Sequence, residues 1–359
     1  MKKPLLIIII LILALLVAIT IYYFFFRQEP LAEGPGQQES AGYRLAAREI
    51  SHIDLDSECY SLGASRDFLY MGLNNKIAVI DVSDPASLKL ASEYSIQPWA
   101  ENQGRAISLL IEDNIIYACP NHRLDILQVG GGTTISHLSS LELEGFDIQL
   151  AKIGSTLYIK GSYMGPEQQE LARIYAVDVS RAGKPELMWS LDIDEAVYSI
   201  AAHDDIVYAG GRGALYAIDT GKQGQERIVT SDLEGWINHL QAGQDYLYAA
   251  GSQGISTYSL GPEPRLQQTS DLGGYLQKIM VGSEYIWGLL QTGKSSQLVE
   301  VDRQGLEVSF RQPVEGLARY LYWDQQTLFI VTSEVILSSQ DLSQAEHVPS
   351  RLLSYQINY

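Results

Sequence analysis

A sevenfold internal repeat constrains the fold of this 359-residue chain more than any other feature. An apolar residue followed by an aromatic one recurs, with successive aromatic residues 39 to 50 positions apart, and a Leu or Ile stands eight positions before every aromatic residue. A period near forty residues indicates one supersecondary unit that is stacked or closed into a ring. The pairs are Leu69-Tyr70, Ile116-Tyr117, Leu157-Tyr158, Val207-Tyr208, Leu247-Tyr248, Ile286-Trp287 and Leu328-Phe329. The Leu or Ile positions are Leu62, Leu109, Leu150, Ile200, Leu240, Ile279 and Leu321.

Each copy has the pattern of four short antiparallel strands. Residues alternate between apolar and polar, β-branched and aromatic types are frequent, and Gly, Asn and Asp stand at the joints. A glycine precedes the inner strand in five copies, at Gly104, Gly145, Gly235, Gly274 and Gly316. A polar residue ends the third strand at Asp81, Gln128, Asp219, Ser259 and Gln340. The sequence therefore predicts an all-β fold over residues 43–359, a seven-bladed β-propeller of four-stranded antiparallel blades.

Two terminal segments could close the ring. Residues 44–55 resemble an outer strand that lacks a preceding unit, and residues 351–359 are also strand-like. Either could complete the seventh blade and remove an open sheet edge. The sequence leaves both alternatives open.

The N-terminus predicts a membrane anchor. Residues 5–26 contain no charge and are long enough to cross a bilayer as one helix. Lys2 and Lys3 would keep that end in the cytoplasm and place the propeller in the periplasm or outside the cell. A cleaved signal peptide is the alternative, although its apolar region is usually shorter. We predict an uncleaved transmembrane signal-anchor at 1–27, a flexible linker at 28–42 and the propeller at 43–359.

Charge and motif arguments exclude several functions. The chain has 25 basic and 43 acidic residues and a net charge of −18, which argues against a nucleic-acid partner. Residues 288–295 match the pattern G-x-x-x-x-G-K-[ST], but an alternating strand follows where phosphate binding needs a helix. We therefore predict no nucleotide partner. No Gly-x-Ser-x-Gly nucleophile motif occurs, so the sequence assigns no catalytic residue.

The candidate metal ligands and thiols have simpler explanations. His52, Asp54, Asp56 and Glu58 would lie on one face of an extended chain, but they lack the glycine and distal glutamate of a calcium loop. We predict no metal site and no cofactor. Cys59 and Cys119 fall in consecutive units, and we expect two separate buried thiols, with a disulfide as the alternative.

The first unit resembles the LVIVD repeat of bacterial and archaeal cell-surface propellers. Residues 69–94 read LYMGLNNKIAVIDVSDPASLKLASEY, with Ile77 to Asp81 and Asp84-Pro85 at the matching places. The fourth unit, VYAGGRGALYAIDTGK at 207–222, is similar instead to the repeat of quinoprotein-like propellers. These resemblances imply a membrane-linked surface propeller. They imply no reaction, because a fold does not fix a function.

The predicted binding face is one rim of the propeller, where the loops that enter inner strands meet the loops between second and third strands. Residues 163–171 are an insertion on this rim, and loop insertions are often functional. Aromatic side chains with one edge exposed to solvent are suited to binding protein or glycan partners. They could instead plug the channel or wedge between blades. The predicted partner-binding residues are Trp99, Phe146, Tyr163, Trp236, His239 and Tyr275.

These features predict a membrane-anchored, extracytoplasmic propeller that binds a protein or glycan partner of the cell envelope without catalysis. The alternative is an enzyme, namely a hydrolase, lyase or quinone-dependent oxidoreductase with a site at the channel mouth. Catalysis predicts that titratable groups from several blades converge there. A scaffold predicts an exposed apolar and aromatic patch. A purely structural surface-layer component would show neither feature.

Overall fold

The computed structural model describes residues 46–97, 106–221, 227–293, 295–324, 326–333 and 349–358. Every regular element in these ranges is a β-strand, as the alternating sequence pattern predicts. The predicted anchor and linker lie outside the described residues. Within the described residues, no helix has the length and hydrophobicity that crossing a membrane requires.

Strand β1 (Ala46–Asp54) precedes three four-stranded antiparallel sheets, whose strands lie side by side in chain order. The first sheet contains β2 (Ser61–Ser65), β3 (Phe68–Gly72), β4 (Lys76–Asp81) and β5 (Lys89–Ser95). The second contains β6 (Ser108–Glu112), β7 (Ile115–Cys119), β8 (Arg123–Gly130) and β9 (Thr134–Glu142). The third contains β10 (Phe146–Ile153), β11 (Thr156–Met164), β12 (Glu170–Asp178) and β13 (Glu186–Ile193).

The second half of the chain forms one six-stranded and two four-stranded sheets. The six-stranded sheet contains β14 (Val197–His203), β15 (Ile206–Asp219), β16 (Arg227–Ala242), β17 (Tyr246–Gly251), β18 (Gly254–Ser259) and β19 (Leu266–Ser270). The next sheet contains β20 (Tyr275–Val281), β21 (Tyr285–Thr292), β22 (Ser295–Asp302) and β23 (Val308–Val314). The last contains β24 (Leu317–Asp324), β25 (Thr327–Ser333), β26 (Ser350–Asn358) and β1.

The described residues thus form six sheets, and the prediction of seven separate four-stranded sheets is wrong in this respect. The fourth and fifth repeats share the six-stranded sheet because two of its strands are unusually long. Strand β15 pairs with β14 up to Gly211 and with β16 from Arg212, and β16 changes its partner from β15 to β17 at Ile237. Strand pairing continues across both junctions although Gly213 (φ +83°) and Gly235 (φ +93°) leave the extended conformation there, so strands that are separate in the other repeats run on into one.

Both terminal segments take part in ring closure. Strand β26 pairs with β25 as the third strand of the last sheet, and β1 pairs with β26 as its outer strand. The Arg351 guanidinium binds the Asp54 carboxylate across this last pair, with Nε 2.7 Å from Oδ1. Both terminal segments that the sequence offered as alternatives are therefore used. The C-terminal strand is the third strand of the last sheet, and the N-terminal strand covers the edge that it would otherwise leave open.

The third strand of the seventh repeat lies later in the chain than predicted. Thr327 at the start of β25 faces Gln356, as Phe68 faces Asp81 in the first repeat. Gln340 lies outside the described residues, and Gln356 occupies the place predicted for it. A longer connection between the second and third strands moved this position away from the spacing of the other repeats.

The repeated side chains pack between neighbouring repeats. The buried apolar residues form seven clusters, and each contains the aromatic residue of one repeat together with the Leu or Ile of the next. All seven aromatic residues are buried. The cluster of Tyr208 and Leu240 joins the two halves of the six-stranded sheet. Adjacent repeats therefore face each other across dry apolar layers, which explains why both positions recur.

Tyrosine predominates at the aromatic position because its hydroxyl reaches the following repeat. The Tyr70 hydroxyl donates to the Gly132 carbonyl oxygen at 2.8 Å, and the Tyr208 hydroxyl accepts from the Gly261 amide at 2.7 Å. The Tyr248 hydroxyl accepts from Arg303 Nε at 2.7 Å. Each partner lies in the loop between the third and fourth strands of the next repeat. A buried hydroxyl needs such a partner, so these bonds add direction to an otherwise apolar contact.

Candidate functional site

A central channel runs along the inner strands. A cavity of about 450 Å³ is lined by residues of β2, β6, β10, β14, β20 and β24 and of the second half of β16. All seven repeated Leu or Ile residues are among them. The same side chains that pack between repeats therefore also narrow the channel.

The residue before each Leu or Ile forms a second ring along the channel. Three members are serines, and each bonds to the neighbouring repeat: Ser61 Oγ donates to the Ile107 carbonyl oxygen at 2.6 Å, Ser108 Oγ donates to the Ile148 carbonyl oxygen at 2.5 Å, and Ser199 Oγ accepts from the Leu240 amide at 3.0 Å. Small serines leave space in the lumen. The larger members of this ring line the same cavity, and they are Gln149, His239, Lys278 and Tyr320.

β-Bulges bring a further set of side chains into the channel mouth. The strand register shifts between Ile237 and His239, between Leu276 and Lys278, and between Ala318 and Tyr320. A bulge places an extra residue on one strand and redirects its side chain. Consecutive residues, which would face opposite ways in a regular strand, therefore line one cavity of about 190 Å³, namely Asn238 and His239, Gln277 and Lys278, and Arg319 and Tyr320.

The narrow mouth shifts the titration of its side chains. Lys278 is partly open to the lumen but surrounded by protein, and this desolvation lowers its pKa to about 8. Burial and then the nearby Lys278 charge hold the pKa of His239 well below its usual value. Burial raises the pKa of Tyr320, whose hydroxyl donates to the Tyr60 carbonyl oxygen. At neutral pH the mouth therefore holds a charged lysine, a neutral imidazole and a neutral phenol.

The histidine tautomer follows from its backbone contact. The Ile279 amide donates to His239 Nδ1 at 3.3 Å, so the neutral ring carries its proton on Nε2. The Lys278 ammonium lies over the Tyr320 ring, 5.9 Å from its centroid. Arg319 Nε and Gln277 Oε1 are buried and find no hydrogen-bond partner among the described residues. The mouth thus presents cationic donors and one amide oxygen acceptor that the protein itself leaves partly unused.

The structure brings three of the predicted binding residues together. Trp236 is 42% exposed, and its ring meets the Tyr275 ring edge-on with centroids 6.3 Å apart. Tyr275 and His239 line the 190 Å³ cavity. The backbone of Trp236 follows Gly235, which has a φ of +93° that favours glycine, as expected for the turn before an inner strand.

The other predicted residues lie elsewhere. Phe146 is half-buried at the start of β10, and it is not among the residues that line this cavity. Tyr163 stands on the extended hairpin of β11 and β12, with the Arg173 guanidinium 5.1 Å from its ring centroid. The predicted insertion of residues 163–171 is this hairpin extension. Trp99 lies outside the described residues.

The possible metal ligands do not converge. Asp54 pairs with Arg351, Asp56 Oδ2 lies 2.7 Å from Lys76 Nζ, and Glu58 accepts a hydrogen bond from the Tyr60 hydroxyl. No group of three or more His, Cys, Asp or Glu side chains in the described ranges is arranged to hold a metal.

Two further motifs behave as the sequence indicates. Cys59 and Cys119 are free and buried, and burial raises the pKa of Cys59 to about 12. Strand β22 begins at Ser295, so the phosphate-loop-like segment is followed by a strand and has no helix after it.

Sequence reasoning missed Lys278, Arg319 and Tyr320. A usable signal was the position just before each repeated Leu or Ile, which holds Ser in three repeats and Gln149, His239, Lys278 or Tyr320 in the other four. Arg319 had no such signal, because only the bulge in β24 brings it to the same side as Tyr320.

Comparisons with known proteins agree with this fold. The family model described as the LVIVD repeat matches residues 60–95. No curated protein sequence matches the chain. The WD40 domain of Neurospora crassa Pan2 is 11% identical, with a TM-score of 0.63 over 86% of this chain and 95% of that one. BamB from Moraxella catarrhalis is 14% identical, with a TM-score of 0.51 over 87% and 100%.

Saccharomyces cerevisiae Sqt1 is 11% identical, with a TM-score of 0.57 over 80% of this chain and 83% of that one. At such identities the similarity concerns the fold alone. Residues 60–95 therefore match the LVIVD repeat, as the resemblance of the first unit predicted, and the solved structures share the fold of the chain.

Proposed function

We propose that this chain is a non-catalytic binding module of the cell envelope that recognises a protein or glycan partner at the channel mouth. The observation that carries the proposal is the exposed Trp236 ring, braced edge-on by Tyr275 beside a donor-rich cavity. A rigid aromatic side chain next to partly desolvated polar groups is the usual composition of an interaction hot spot. The propeller fold, which serves many proteins as an interaction module, supports this role.

A catalytic role at the same mouth is the second candidate, either a hydrolase, a lyase or a quinone-dependent oxidoreductase. The convergence of His239, Lys278 and Tyr320 with shifted pKa values favours it. General acid–base catalysis also needs a neighbouring group that orients the catalytic base and stabilises its protonated form. The described lining of the 190 Å³ cavity contains no carboxylate that could do so, which favours binding over catalysis.

We also infer that the ring has seven functional blades, with the six-stranded sheet acting as two. Support comes from the seven clusters between repeats and from the seven inner strands that line the channel. A crystal structure in which the fourth and fifth repeats pack side by side in one flat sheet, with no layer between them, would contradict this inference.

The anchor and the location remain part of the proposal. The uncharged residues 5–26 would hold the propeller at the outer face of the cytoplasmic membrane, in the periplasm or at the cell surface. Cysteine-specific labelling of intact cells tests the orientation, with a single cysteine introduced at exposed Leu90. An impermeant reagent should label it without lysis. Labelling only after lysis would contradict the location.

Partner recognition is tested by photo-cross-linking in intact cells. A photoreactive residue replaces Tyr275, and the full chain is then recovered and its cross-linked products are compared with and without Trp236→Ala. We expect a discrete envelope partner that the Trp236→Ala variant loses. Leu90→Ala, at a residue that is 49% exposed on outer strand β5, is the matched control and should keep the partner.

The same preparation separates binding from catalysis. If no partner is recovered and the purified full chain turns over a small substrate with a pH profile that His239→Gln alters, the binding proposal is wrong and the enzyme candidate is supported.

A further inference from the structure

The channel mouth carries an excess of positive charge in a strongly acidic protein. The chain has a net charge of −18. Most of its described Lys and Arg side chains pair with carboxylates. Arg173 pairs with Asp192 at 2.5 Å, and Arg303 pairs with Asp245 at 2.9 Å. Lys278 and Arg319 instead share a cavity whose described lining contains no acidic residue. Two cations without a counter-ion in a confined space are a site for an anion.

Three donors point to a carboxylate or another oxyanion. The Lys278 ammonium lies over the Tyr320 ring, and Arg319 Nε is buried without a hydrogen-bond partner among the described residues. His239 offers its Nε2 proton, since Nδ1 is occupied by the Ile279 amide. A buried donor without a partner costs free energy, and a bound oxygen acceptor would recover it. These groups come from β16, β20 and β24, so the propeller ring itself fixes their positions.

A fourth group indicates what else the ligand carries. Gln277 Oε1 is buried without a partner beside the cations, and it accepts hydrogen bonds. A second acceptor close to a bound carboxylate would be repelled, whereas a hydroxyl group would donate to it. The Tyr275 side chain lines the same cavity, and its ring also contacts the exposed Trp236 ring. The volume of about 190 Å³ limits the ligand to a small molecule or to the end group of a larger one.

We propose that the 190 Å³ cavity binds the carboxylate of a hydroxy acid of sugar-acid type, held by Lys278, Arg319 and His239, with a ligand hydroxyl on Gln277. The carboxylate could belong to a free sugar acid or to the acidic end residue of a glycan. This inference refines the binding role proposed above, because it assigns ligand chemistry to the same mouth.

Calorimetric titration of the purified full chain in detergent micelles tests the proposal. The probes are glucuronate, glucose, acetate and inorganic phosphate. We expect glucuronate to bind at least tenfold more tightly than glucose, which lacks the carboxylate, and than acetate, which lacks the hydroxyls. Phosphate should bind no more tightly than acetate. Equal affinity for glucose and glucuronate, preference for phosphate, or no binding of glucuronate overturns the proposal.

Variants locate the site. Lys278→Met and Arg319→Gln should each weaken glucuronate binding at least tenfold. Lys152→Met is the matched control and should stay within twofold, because Lys152 lines the wider channel but pairs with Glu112 at 2.6 Å. Unchanged binding in both mouth variants overturns the proposal.

A second variant and a second measurement remain decisive if those proteins fold poorly. Gln277→Glu places a carboxylate beside Lys278, so it should abolish glucuronate binding while keeping the fold. Wild-type binding at pH 8 should take up protons, because a bound carboxylate favours the ammonium form of Lys278 over the amine. The titratable groups that line the cavity with Lys278 are His239, Tyr275, Arg319 and Tyr320, and the nearby carboxylates of Asp147 and Glu58 act on Tyr320. A binding enthalpy that does not differ between Tris and Hepes buffers would contradict this proton uptake.

The two proposals fail in different ways. A chain that binds free glucuronate as tightly as a glucuronate-terminated oligosaccharide and recovers no envelope partner supports the sugar-acid site and contradicts the partner-binding function. A chain that recovers its partner but binds no glucuronate supports the partner-binding function and contradicts the sugar-acid site. Comparison of free glucuronate with a glucuronate-terminated oligosaccharide then distinguishes the two sources of the carboxylate, since extra affinity for the oligosaccharide indicates a glycan that also contacts Trp236.

Discussion

Single residues set the chemistry of the channel mouth. Serine at the ring position before the repeated Leu or Ile bonds to its neighbour and stays out of the lumen, as at Ser61. The larger side chains of His239, Lys278 and Tyr320 line the lumen, although His239 and Tyr320 also bond to the following repeat. Their confinement, rather than a nearby opposite charge, shifts their titration, because desolvation is the largest cause for each.

We expect Lys278 to make stability depend on pH in a defined window. Its pKa is about 8 in the folded chain and 10.5 in the unfolded reference. Between these values the unfolded chain holds more protons, so the free energy of unfolding rises with pH. Urea unfolding at pH 8, 9 and 10 should show the wild type gaining roughly 1–2 kcal/mol relative to Lys278→Met over this range.

The comparison with Lys278→Met removes the contributions of other groups. Burial raises the pKa of Cys59 and Tyr320, so their ionisation destabilises the fold as pH rises, but both are present in each protein. A difference in unfolding free energy that stays constant from pH 8 to 10 would show that Lys278 is solvated in the folded chain.

A close backbone contact supports Trp236. A Cβ on Gly251 would lie 1.9 Å from the Trp236 carbonyl oxygen, so Gly251→Ala must push the two strands apart. We expect it to destabilise the fold by roughly 1–3 kcal/mol, as overpacking does elsewhere, and to weaken partner cross-linking at the mouth. Gly183→Ala is the control, because a Cβ there meets no atom within 4 Å. Equal stabilities of the two variants in urea would contradict the close approach.

At the scale of strands, the candidate site was only half predictable from the sequence. Trp236 and Tyr275 follow a repeated glycine, so their place on the rim could be predicted from spacing alone. Regular alternation puts Arg319 and Tyr320 on opposite faces of β24, and the bulge cancels this rule. Bulges have no reliable sequence signature in a single chain, which is why Arg319 could not be predicted.

The terminal strands illustrate another limit of the sequence. Both segments were recognised as strands, but their order within the last sheet depends on pairing across more than 290 positions, as between Asp54 and Arg351. Local pattern carries no information about such pairing. The structure orders them as β24, β25, β26 and β1.

We expect ring closure to depend on strand β1. Deletion of residues 46–54 would expose the β26 edge and remove Ala47 from the cluster between the sixth and seventh repeats. The truncated chain should melt at a lower temperature and self-associate through its open edge. A synthetic peptide of residues 45–56 should restore the melting temperature when it is added in excess.

Arg48→Ala distinguishes the effect of β1 strand pairing on stability from the effect of an exposed β1 side chain. Arg48 is exposed on β1, so its loss should change the free energy of unfolding by less than about 0.5 kcal/mol. A truncated chain that melts like the wild type would show that β1 does not close the ring in solution.

At the scale of the whole molecule, stability is distributed over equivalent interfaces. Each of the seven clusters joins the aromatic residue of one repeat to the Leu or Ile of the next, as Tyr208 joins Leu240. This repetition of one contact made the fold predictable, because a side chain that recurs at a fixed spacing makes the same contact in each repeat. Sheet continuity between the fourth and fifth repeats was not predictable, since it depends on backbone conformation at the junction and not on the repeated side chains.

Leu240→Asp tests whether these interfaces are dry and cooperative. Leu240 is 3% exposed and packs between the two halves of the six-stranded sheet, so the carboxylate would be buried without a partner. We expect a loss of more than about 4 kcal/mol and no cooperative urea transition for the whole propeller. Leu240→Ala should cost roughly 2–5 kcal/mol as a cavity.

Leu266→Asp is the matched control on β19 of the same sheet, where the side chain is 58% exposed, and it should change stability by less than about 0.5 kcal/mol. Leu150→Asp should fall between the two, because Leu150 is only partly buried where it borders the channel. Circular dichroism and urea unfolding would measure all four variants. A Leu240→Asp protein with a wild-type transition would mean that its carboxylate reaches water in the channel, and that the inner ring does not seal the interfaces between repeats.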